Sequence, residues 1–589
     1  MPKPKQIVND SKTSVDDFIS GLLLQYPNRL QKLENHHVLL TATPPADKVQ
    51  LLSGGGSGHE PSHAGWIGTG MLSGAICGGI FASPSVASIL AGIRAAAATQ
   101  TDKRILLVVK NYTGDRLNFG MACEIANQEG ISCKLVVVAD DCALERTKGI
   151  TGARGVAGTV LVHKIAGAAA VAGKSLDDIV SIVEQVNGRM GTLGIALDAV
   201  TIVGAEEVNS RLDDKTIEIG LGIHGEAGLK QSPLLTSDEM AKEMITTVRD
   251  YGRNVKAADG STRVVPLFEK GDDLCVLVNN LGGTSNFEMS ILANSCVKYL
   301  EETYGCKVTR LLVGSYMTSF DMHGASVTIL NLSGASDELV AFLDTPCDAP
   351  AWTACDIWKS GDARYSSQER PEVVVEDTNE KANLPPVTLD NFAEIAKNMA
   401  LQAAKNLGEQ EATLTKYDLI VGDGDCGITM KRGATEVEER INNGKISTGH
   451  PVTMFASLAD AVSDSMGGTS GVLIELMFRK MSSTLSRCES IGVPEMCQAF
   501  QEGVDAICLY GGATIGSRTM LDALIPAAET LVVSNSVVEA ASQAKFGADG
   551  TAQMKSALAG RSNYLSEETL EGTPDPGAMA VSIVMEALQ

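Results

Sequence analysis

The spacing of apolar residues changes once along the chain, near Leu389, and that change limits the fold more than any other feature. Before it, apolar residues come in short, unalternating runs such as "RILLVVK", "CKLVVVAD", "DDLCVLVNN" and "ASVTILNL". Runs rich in Val, Ile and Leu without alternation suit strands covered on both faces, as in a parallel sheet. Longer amphipathic stretches such as "LNFGMACEIANQEG" lie between them, giving the rhythm of strand, crossover helix and strand. "AVTIVGA" and "KVTRLLVGSYMTSFDMHGASVTILNL" continue the strand pattern to about Leu343. After Leu389 the spacing becomes helical throughout, in "LDNFAEIAKNMALQAAKNLG", "PVTMFASLADAVSDSMGG", "VPEMCQAFQEGVDAICLYGG" and "RTMLDALIPAAETLVV". Ala, Leu, Met and Glu dominate there, and no strand is expected.

These two textures predict an α/β domain over 1–343, a linker over 344–386 and an all-helical domain over 387–589. A chain of 589 residues is in any case too long for one hydrophobic core. The linker is rich in Pro, Asp, Glu, Ser and Thr yet holds two of the three tryptophans, Trp352 and Trp358. A purely solvated linker has little use for them, so both are expected to dock on a neighbour.

Charge and cysteine usage narrow the function. The net charge of -24 disfavours nucleic acid as a partner, because such partners need a basic face. The start "MPKPKQIVND" lacks the apolar core of a signal peptide, and no apolar run is long enough to cross a bilayer. A cytosolic protein with no membrane partner is expected. The 13 cysteines are scattered among apolar neighbours with no CxxC pair, so buried reduced thiols are expected rather than zinc ligands.

Three acidic residues stand out in the helical half. "TKYDLIVGDGDCGITM" places Asp418, Asp423 and Asp425 close together. A cluster of Asp and Gly is a turn signal before anything else. A bend at Gly424 would bring Asp423 and Asp425 together, and Asp418 could join them from the end of a preceding helix. Carboxylates that close repel unless a cation neutralises them. A calcium loop fails, because counting from Asp423 the final glutamate position holds Ala434. An oxygen-only site of this kind suits Mg²⁺. Phosphate cradles are available in the same half. "MGGTSG" offers backbone amides and the hydroxyls of Thr469 and Ser470 at a helix start. It is no Walker A loop, since no Lys-Ser or Lys-Thr follows. "GSRTMLDAL" places Arg518 at a helix start, with a surface salt bridge as its plain structural role, and "TPDPGA" reads as a rigid turn before the last helix.

In the first half two histidines lie among glycines. His59 follows "SGGGSG" after a buried run, the usual ligand position of an open α/β sheet. His224 sits in "GLGIHGEAG", where small neighbours leave its ring accessible. "VVKNYTGDRLNFG" puts Lys110 and Asp115 after another run, either as an ion pair or as two polar groups facing one crevice. His36, His37, His63, His163, His323 and His450 are read as structural. "GGGSGHEP" is not a dinucleotide fingerprint, because the acidic partner is missing.

In combination and order, "LLSGGGSGHEPSHAG", "VVKNYTGDRLNFG", "GLGIHGEAG", "GSYMTSFDM", "DLIVGDGDCG", "MGGTSG", "RTMLDAL" and "PDPGA" resemble the ATP-dependent dihydroxyacetone kinase family over nearly the whole chain. The resemblance implies a substrate domain of two α/β subdomains and a helical-barrel nucleotide domain. It implies that His224 forms a covalent hemiaminal with a substrate carbonyl. His59 would hydrogen-bond the hemiaminal oxygen, and Asp115 would act as general base on the terminal hydroxyl. Gly56, Ser57, Gly58, His59, Lys110 and Asp115 would grip the substrate. Asp418, Asp423 and Asp425 would hold two Mg²⁺. ATP would contact Asp425, Cys426, Gly427, Ile428, Thr469, Ser470, Gly471, Gly511, Arg518, Asp575, Pro576 and Gly577.

The implied substrates are dihydroxyacetone, glyceraldehyde and ATP. The implied assembly is a homodimer in which one chain's nucleotide domain caps its partner's substrate domain. Two positions depart from the family pattern: Ser517 replaces an aspartate before Arg518, which puts the partner of that arginine in question, and Thr469 stands where serine is common. Cleavage of FAD to a cyclic product in the same nucleotide site is an alternative, as is a non-catalytic triose sensor. The sensor is the weaker of the two, since it has no need of a phosphate-bridging metal.

Overall fold

The fold is that of a computed structural model, which describes residues 5–44, 47–144, 152–205, 212–256, 262–353, 355, 357, 384–559 and 561–589. Two compact units divide the chain, Met1–Pro371 and Glu372–Gln589. Trp358 and most of the linker lie outside the described residues. Trp352 packs against Trp66 and Tyr316 in the first unit, with ring centroids 6.4 and 6.1 Å away.

The first unit carries two six-stranded sheets. One is built from β1 (Leu30–Lys32), β2 (Val38–Thr41), β3 (Gln50–Ser57), β4 (Gly74–Ile80), β5 (Arg104–Lys110) and β6 (Ser132–Val138), in the order β1-β2-β4-β3-β5-β6. Four adjacent strands, β4, β3, β5 and β6, run parallel, as the unalternating runs predict, and β1 and β2 add an antiparallel edge. β3 is buried along its length except at Gly56, between helix Thr159–Val171 on one face and helices Val86–Ala97 and Thr113–Gln128 on the other.

The second sheet differs from the parallel expectation. It contains β7 (Met190–Ala196), β8 (Thr216–Ile219), β9 (Lys230–Pro233), β12 (Asp273–Asn280), β13 (Lys307–Gly314) and β14 (Gly324–Asn331). A separate hairpin pairs β10 (Arg253–Lys256) with β11 (Thr262–Val265). Only β12 and β13 run parallel; every other pairing is antiparallel. β14 is buried at every position and β12 at all but its first. Their apolar runs report burial on both faces, which strand direction does not alter. "AVTIVGA" (199–205) is not a strand. Val200 is buried there, but the Thr201 amide donates to Asp321 Oδ1 (2.8 Å) and its carbonyl accepts from Gln6 Nε2 (3.0 Å), so its backbone groups are satisfied by side chains instead of a ladder.

Helix starts in this unit follow local chemistry. Ser175 with Asp178, Thr236 with Glu239 and Ser285 with Glu288 each form a reciprocal capping box.

The second unit is helical throughout its described residues, with no named strand. Phe392–Glu409 packs on Cys426–Asn442, which packs on Pro451–Ser465. From there each helix packs on the next through Gly468–Leu485, Val493–Gly511, Leu521–Ser534 and Val537–Gly550. Pro576–Ala587 packs on both Val537–Gly550 and Phe392–Glu409, closing the ring into a helical barrel. No helix among the described residues is long and apolar enough to cross a membrane.

Candidate active site

In the first unit, β3 delivers Gly56, Ser57 and Gly58 to a loop ending in His59. The Ser57 hydroxyl donates to Gly78 O (2.8 Å), and the Gly58 amide donates to the Glu60 carboxylate (2.9 Å to Oε2). These groups are thus already engaged within the loop. A second loop, 316–320, binds it from the other sheet. Phe320 N donates to Gly58 O, Thr318 N to His59 O, and Thr318 Oγ1 to Glu60 O. Ser319 Oγ donates to Ile223 O at 2.5 Å, so the same segment also anchors the loop that carries His224.

The two histidines meet there. His59 is fully buried and stacks on Phe81 with centroids 5.0 Å apart. Its Nδ1 lies 2.8 Å from Thr318 O. A carbonyl only accepts, so this nitrogen carries the proton and Nε2 presents a lone pair. Burial, reinforced by Lys110 and His224, holds the His59 pKa well below the usual range. His224 Nδ1 lies 2.7 Å from Glu226 Oε1, and the His224 amide donates to Glu226 Oε2 at 2.9 Å. The carboxylate therefore fixes the proton on Nδ1 and frees His224 Nε2. That Nε2 is 3.0 Å from His59 Nε2. Tyr112 and Phe81 stand edge-on to the His224 ring at 4.8 and 5.0 Å.

Lys110 ends β5 and is buried. Burial lowers its pKa, and Asp115, Glu226 and Glu60 oppose that shift. Asp115 lies in the first turn of Thr113–Gln128, and its Oδ1 accepts from Ser83 Oγ at 2.5 Å. The Lys110 ammonium and Asp115 Oδ2 both face Gly55. The fold thus places His59, His224, Lys110 and Asp115 around the end of one sheet. Sequence reasoning missed Glu226 and Ser83. Glu226 had a signal, two residues after His224 in a glycine turn. Ser83 had none, because only the pairing of β3 with β4 brings its loop beside Asp115.

In the second unit Asp418 occupies the last turn of Glu411–Val421 and is buried, while Asp423 and Asp425 are exposed. Gly424 has φ +82, the bend that turns both aspartates back toward Asp418. One oxygen from each lies within 4.8 Å of the others. Cys426 N donates to Asp418 Oδ2 (2.9 Å), which orients that carboxylate. Such an all-carboxylate oxygen set fits a hard divalent cation. The Cys426 thiol is buried beside it and is pushed up to about 12 by burial and the surrounding carboxylates, so it remains a neutral thiol.

Gly427 and Ile428 continue the helix Cys426–Asn442, with Gly427 buried and Ile428 exposed. The loop before Gly468–Leu485 leaves Thr469 exposed, Ser470 half-buried and Gly471 buried. Arg432 donates from Nε and Nη2 to the carbonyls of Ser465 and Met466 and so braces this loop; the sequence had not marked it. Gly511 closes Val493–Gly511.

Arg518 is fully buried, not a surface residue. Its Nη2 donates to Thr573 O (2.6 Å), and its Nε and Nη1 have no hydrogen-bond partner among the described residues. Burial lowers its pKa while Asp575 and Asp522 oppose that shift. Asp575 caps the last helix by accepting from Ala578 N, ahead of Pro576 and Gly577, and burial raises its pKa to about 6. Asp522 accepts from Gly516 N and Thr519 N, and Ser517 Oγ accepts from Thr514 N. The loop thus closes around Arg518 without an aspartate at position 517.

Known proteins resemble this chain over both units. A Dak1 domain matches residues 20–351 and a DAK2 domain matches residues 420–589. The chain is 38% identical to triokinase/FMN cyclase of Homo sapiens, covering 99% of this chain and 98% of that protein. It is 38% identical to a putative 3,4-dihydroxy-2-butanone kinase of Solanum lycopersicum, over 98% of this chain and 96% of that one. The crystal structure of the dihydroxyacetone kinase of C. freundii in complex with AMP-PNP and Mg²⁺ superposes with a TM-score of 0.71 at 31% identity, covering 99% of each chain. The match spans both units from end to end, and the chain belongs to the dihydroxyacetone kinase family.

Proposed function

We propose that the protein phosphorylates dihydroxyacetone, and also glyceraldehyde, with ATP, while the substrate carbonyl is held as a hemiaminal on His224. The observation that carries this reading is the arrangement of His224, with Nδ1 fixed by Glu226 and Nε2 facing His59. Attack by His224 Nε2 forms a bond to the carbonyl carbon. The carbonyl π pair moves to oxygen, which takes up a proton from solvent, and the hydroxyl so formed donates to the His59 Nε2 lone pair. A reversible covalent bond of this kind selects a carbonyl compound over glycerol. Lys110 and the Gly56–Gly58 backbone hold the remaining oxygens. Asp115, oriented by Ser83, accepts the proton of the terminal hydroxyl as that oxygen attacks the terminal phosphorus of ATP, with ADP leaving.

In the second unit Asp418, Asp423 and Asp425 would hold two Mg²⁺, which when bound offset charge on the ATP phosphates. Ser470, Thr469 and Gly471 would meet the phosphates, and Cys426, Gly427, Ile428, Gly511 and the Asp575-Pro576-Gly577 turn would line the nucleotide site. Arg518 enters the reading as a buried cation beneath that turn. The reading includes a homodimer that exchanges nucleotide domains, a cytosolic setting, and boundaries at 1–343, 344–386 and 387–589. A coupled assay with dihydroxyacetone, glyceraldehyde and glycerol, with and without Mg²⁺, tests it. Turnover of the two carbonyl compounds but not glycerol supports it, and equal turnover of glycerol sinks it.

A second reading is favoured by the name of the human relative, triokinase/FMN cyclase. It is cleavage of FAD at the same nucleotide site. Incubation with FAD and Mn²⁺, followed by chromatography for a cyclic flavin phosphate, decides it.

A further inference from the structure

We propose that Arg154 is a positioning residue for the adduct-forming histidine, acting through Glu226; the inference rests on His224 as the nucleophile. Arg154 is buried just ahead of helix Thr159–Val171, far in sequence from the loops that carry the two histidines. Two of its nitrogens are engaged. Nε pairs with Asp141 Oδ2 at 2.5 Å, and Nη2 donates to Gly220 O at 2.7 Å. Its third, Nη1, is buried and has no hydrogen-bond partner among the described residues.

That free nitrogen points to Gly222. A β-carbon at position 222 would lie 1.9 Å from Glu226 Oε2 and 2.4 Å from Arg154 Nη1. The guanidinium and the carboxylate that fixes His224 therefore both crowd the space a β-carbon of residue 222 would take. This explains why residue 222 is glycine, and it makes Arg154 a cation set behind the His224–Glu226 pair. Arg154 also clamps the loop physically, because it binds Gly220 O on one side and reaches the Glu226 head on the other.

The chemistry needs such a cation. Attack by Nε2 leaves the imidazole ring positive, with its proton still on Nδ1, and Glu226 is the anion that offsets that charge. Asp141 is a second buried carboxylate nearby, and two such anions without a cation between them repel until one takes up a proton. The ionisable groups facing Glu226 are His224, Arg154, Asp141, Tyr112 and Lys110. Of the two cations among them, Arg154 is the one that touches the Glu226 loop directly. Burial pushes the Glu226 carboxyl up, and the hydrogen bonds that Glu226 accepts from His224 outweigh it and hold the carboxyl well below its usual range, at about 2.

The test uses the full-length enzyme and dihydroxyacetone labelled with carbon-13 at its carbonyl, whose resonance moves from the ketone to the saturated-carbon region when the hemiaminal forms. The hemiaminal fraction is followed from about pH 5 to about pH 8 in wild type, R154M, R154K, E226Q and the R154M/E226Q double variant. R154M is expected to lower the fraction about tenfold near pH 6 and to move the acid limb upward by about one pH unit. R154K, which keeps a cation, is expected to return the limb toward the wild-type position. The double variant is expected to be no worse than E226Q alone, because Arg154 acts through Glu226. A wild-type limb in R154M overturns the inference, as does a double variant whose loss is the product of the two single losses. If R154M does not fold, R154K combined with E226Q carries the same cycle with the same criteria. Absence of any hemiaminal in wild type removes the nucleophile reading and this inference with it, whereas a normal wild-type resonance untouched by the Arg154 variants removes this inference alone.

Discussion

His59 Nε2 and His224 Nε2 face each other across 3.0 Å, and each ring has its Nδ1 proton committed elsewhere, to Thr318 O and to Glu226. Neither Nε2 then carries a proton, so His224 Nε2 is open to attack a carbonyl and His59 Nε2 is an acceptor for the hydroxyl that forms. Replacing His59 by Ala removes the acceptor for the hemiaminal hydroxyl but leaves the nucleophile. kcat/KM for dihydroxyacetone should fall about tenfold, the effect of losing one buried hydrogen bond. Replacing it by Asn should recover part of that loss. The coupled assay with varied triose checks both, and an H59A enzyme with wild-type kcat/KM would show that His59 does not hold the hemiaminal hydroxyl.

The aspartates of the second unit should separate phosphoryl transfer from substrate capture. D423N and D425N each remove one carboxylate from the cluster with Asp418. Turnover at saturating Mg²⁺ should drop on the order of 10³-fold, as expected when charge on the transferred phosphoryl group is no longer offset. The hemiaminal should persist, because it forms in the other unit. Chelation of the metal should have the same split effect. Loss of the hemiaminal on chelation would contradict the division of labour.

Acid should destabilise the first unit. Burial is the main cause that holds the pKa of His59 and His63 well below the ordinary value near 6.5, and that of His163 down to about 3. His63 Nδ1 and His163 Nε2 form a buried pair 3.0 Å apart. Each ring stays neutral in the fold and takes up a proton on unfolding, so its contribution is intact above about pH 6.5 and is lost as pH falls. The slope is about 1.4 kcal/mol per pH unit for each histidine. Glu60 acts in the opposite direction. Burial raises it to about 7, so it favours the fold at low pH and loses that contribution as pH rises through 7. Three histidines outweigh one carboxyl. Urea unfolding read by tryptophan fluorescence should show stability falling from about pH 6.5 downward, with a shallower fall in H163Q. A flat profile over this range would contradict the neutral assignment.

Arg518 should matter to the second unit as a buried charge. R518M leaves Asp575 and Asp522 without their cation and removes the bond to Thr573 O. The expected cost is about 3–5 kcal/mol of unfolding free energy, the usual penalty for breaking a buried pair from one side. A change below about 1 kcal/mol would mean the two carboxyls are already neutral.

Much of this was legible in the sequence because burial and periodicity leave direct marks. The parallel core of the first sheet, the helical second unit and the convergence of Asp418, Asp423 and Asp425 at Gly424 could all be read in advance. Strand direction in the second sheet could not, since β14 is buried at every position whichever way its neighbours run. The loop 199–205 was misread as a strand because Val200 is buried, while its backbone partners, Asp321 and Gln6, are far away in sequence. The same distance hid Ser83 beside Asp115 and Arg154 behind Glu226. Arg518 looked like a surface cation because nothing local reveals that Asp522 and Asp575 enclose it.

The account turns on His224, and ATP-dependent phosphorylation of dihydroxyacetone by H224A, measured beside wild type at saturating ATP and Mg²⁺, tests it most directly. Loss of turnover on the order of 10³-fold, with the second unit still binding nucleotide, is the predicted result. Turnover within a few-fold of wild type would mean that the carbonyl is not held on this histidine.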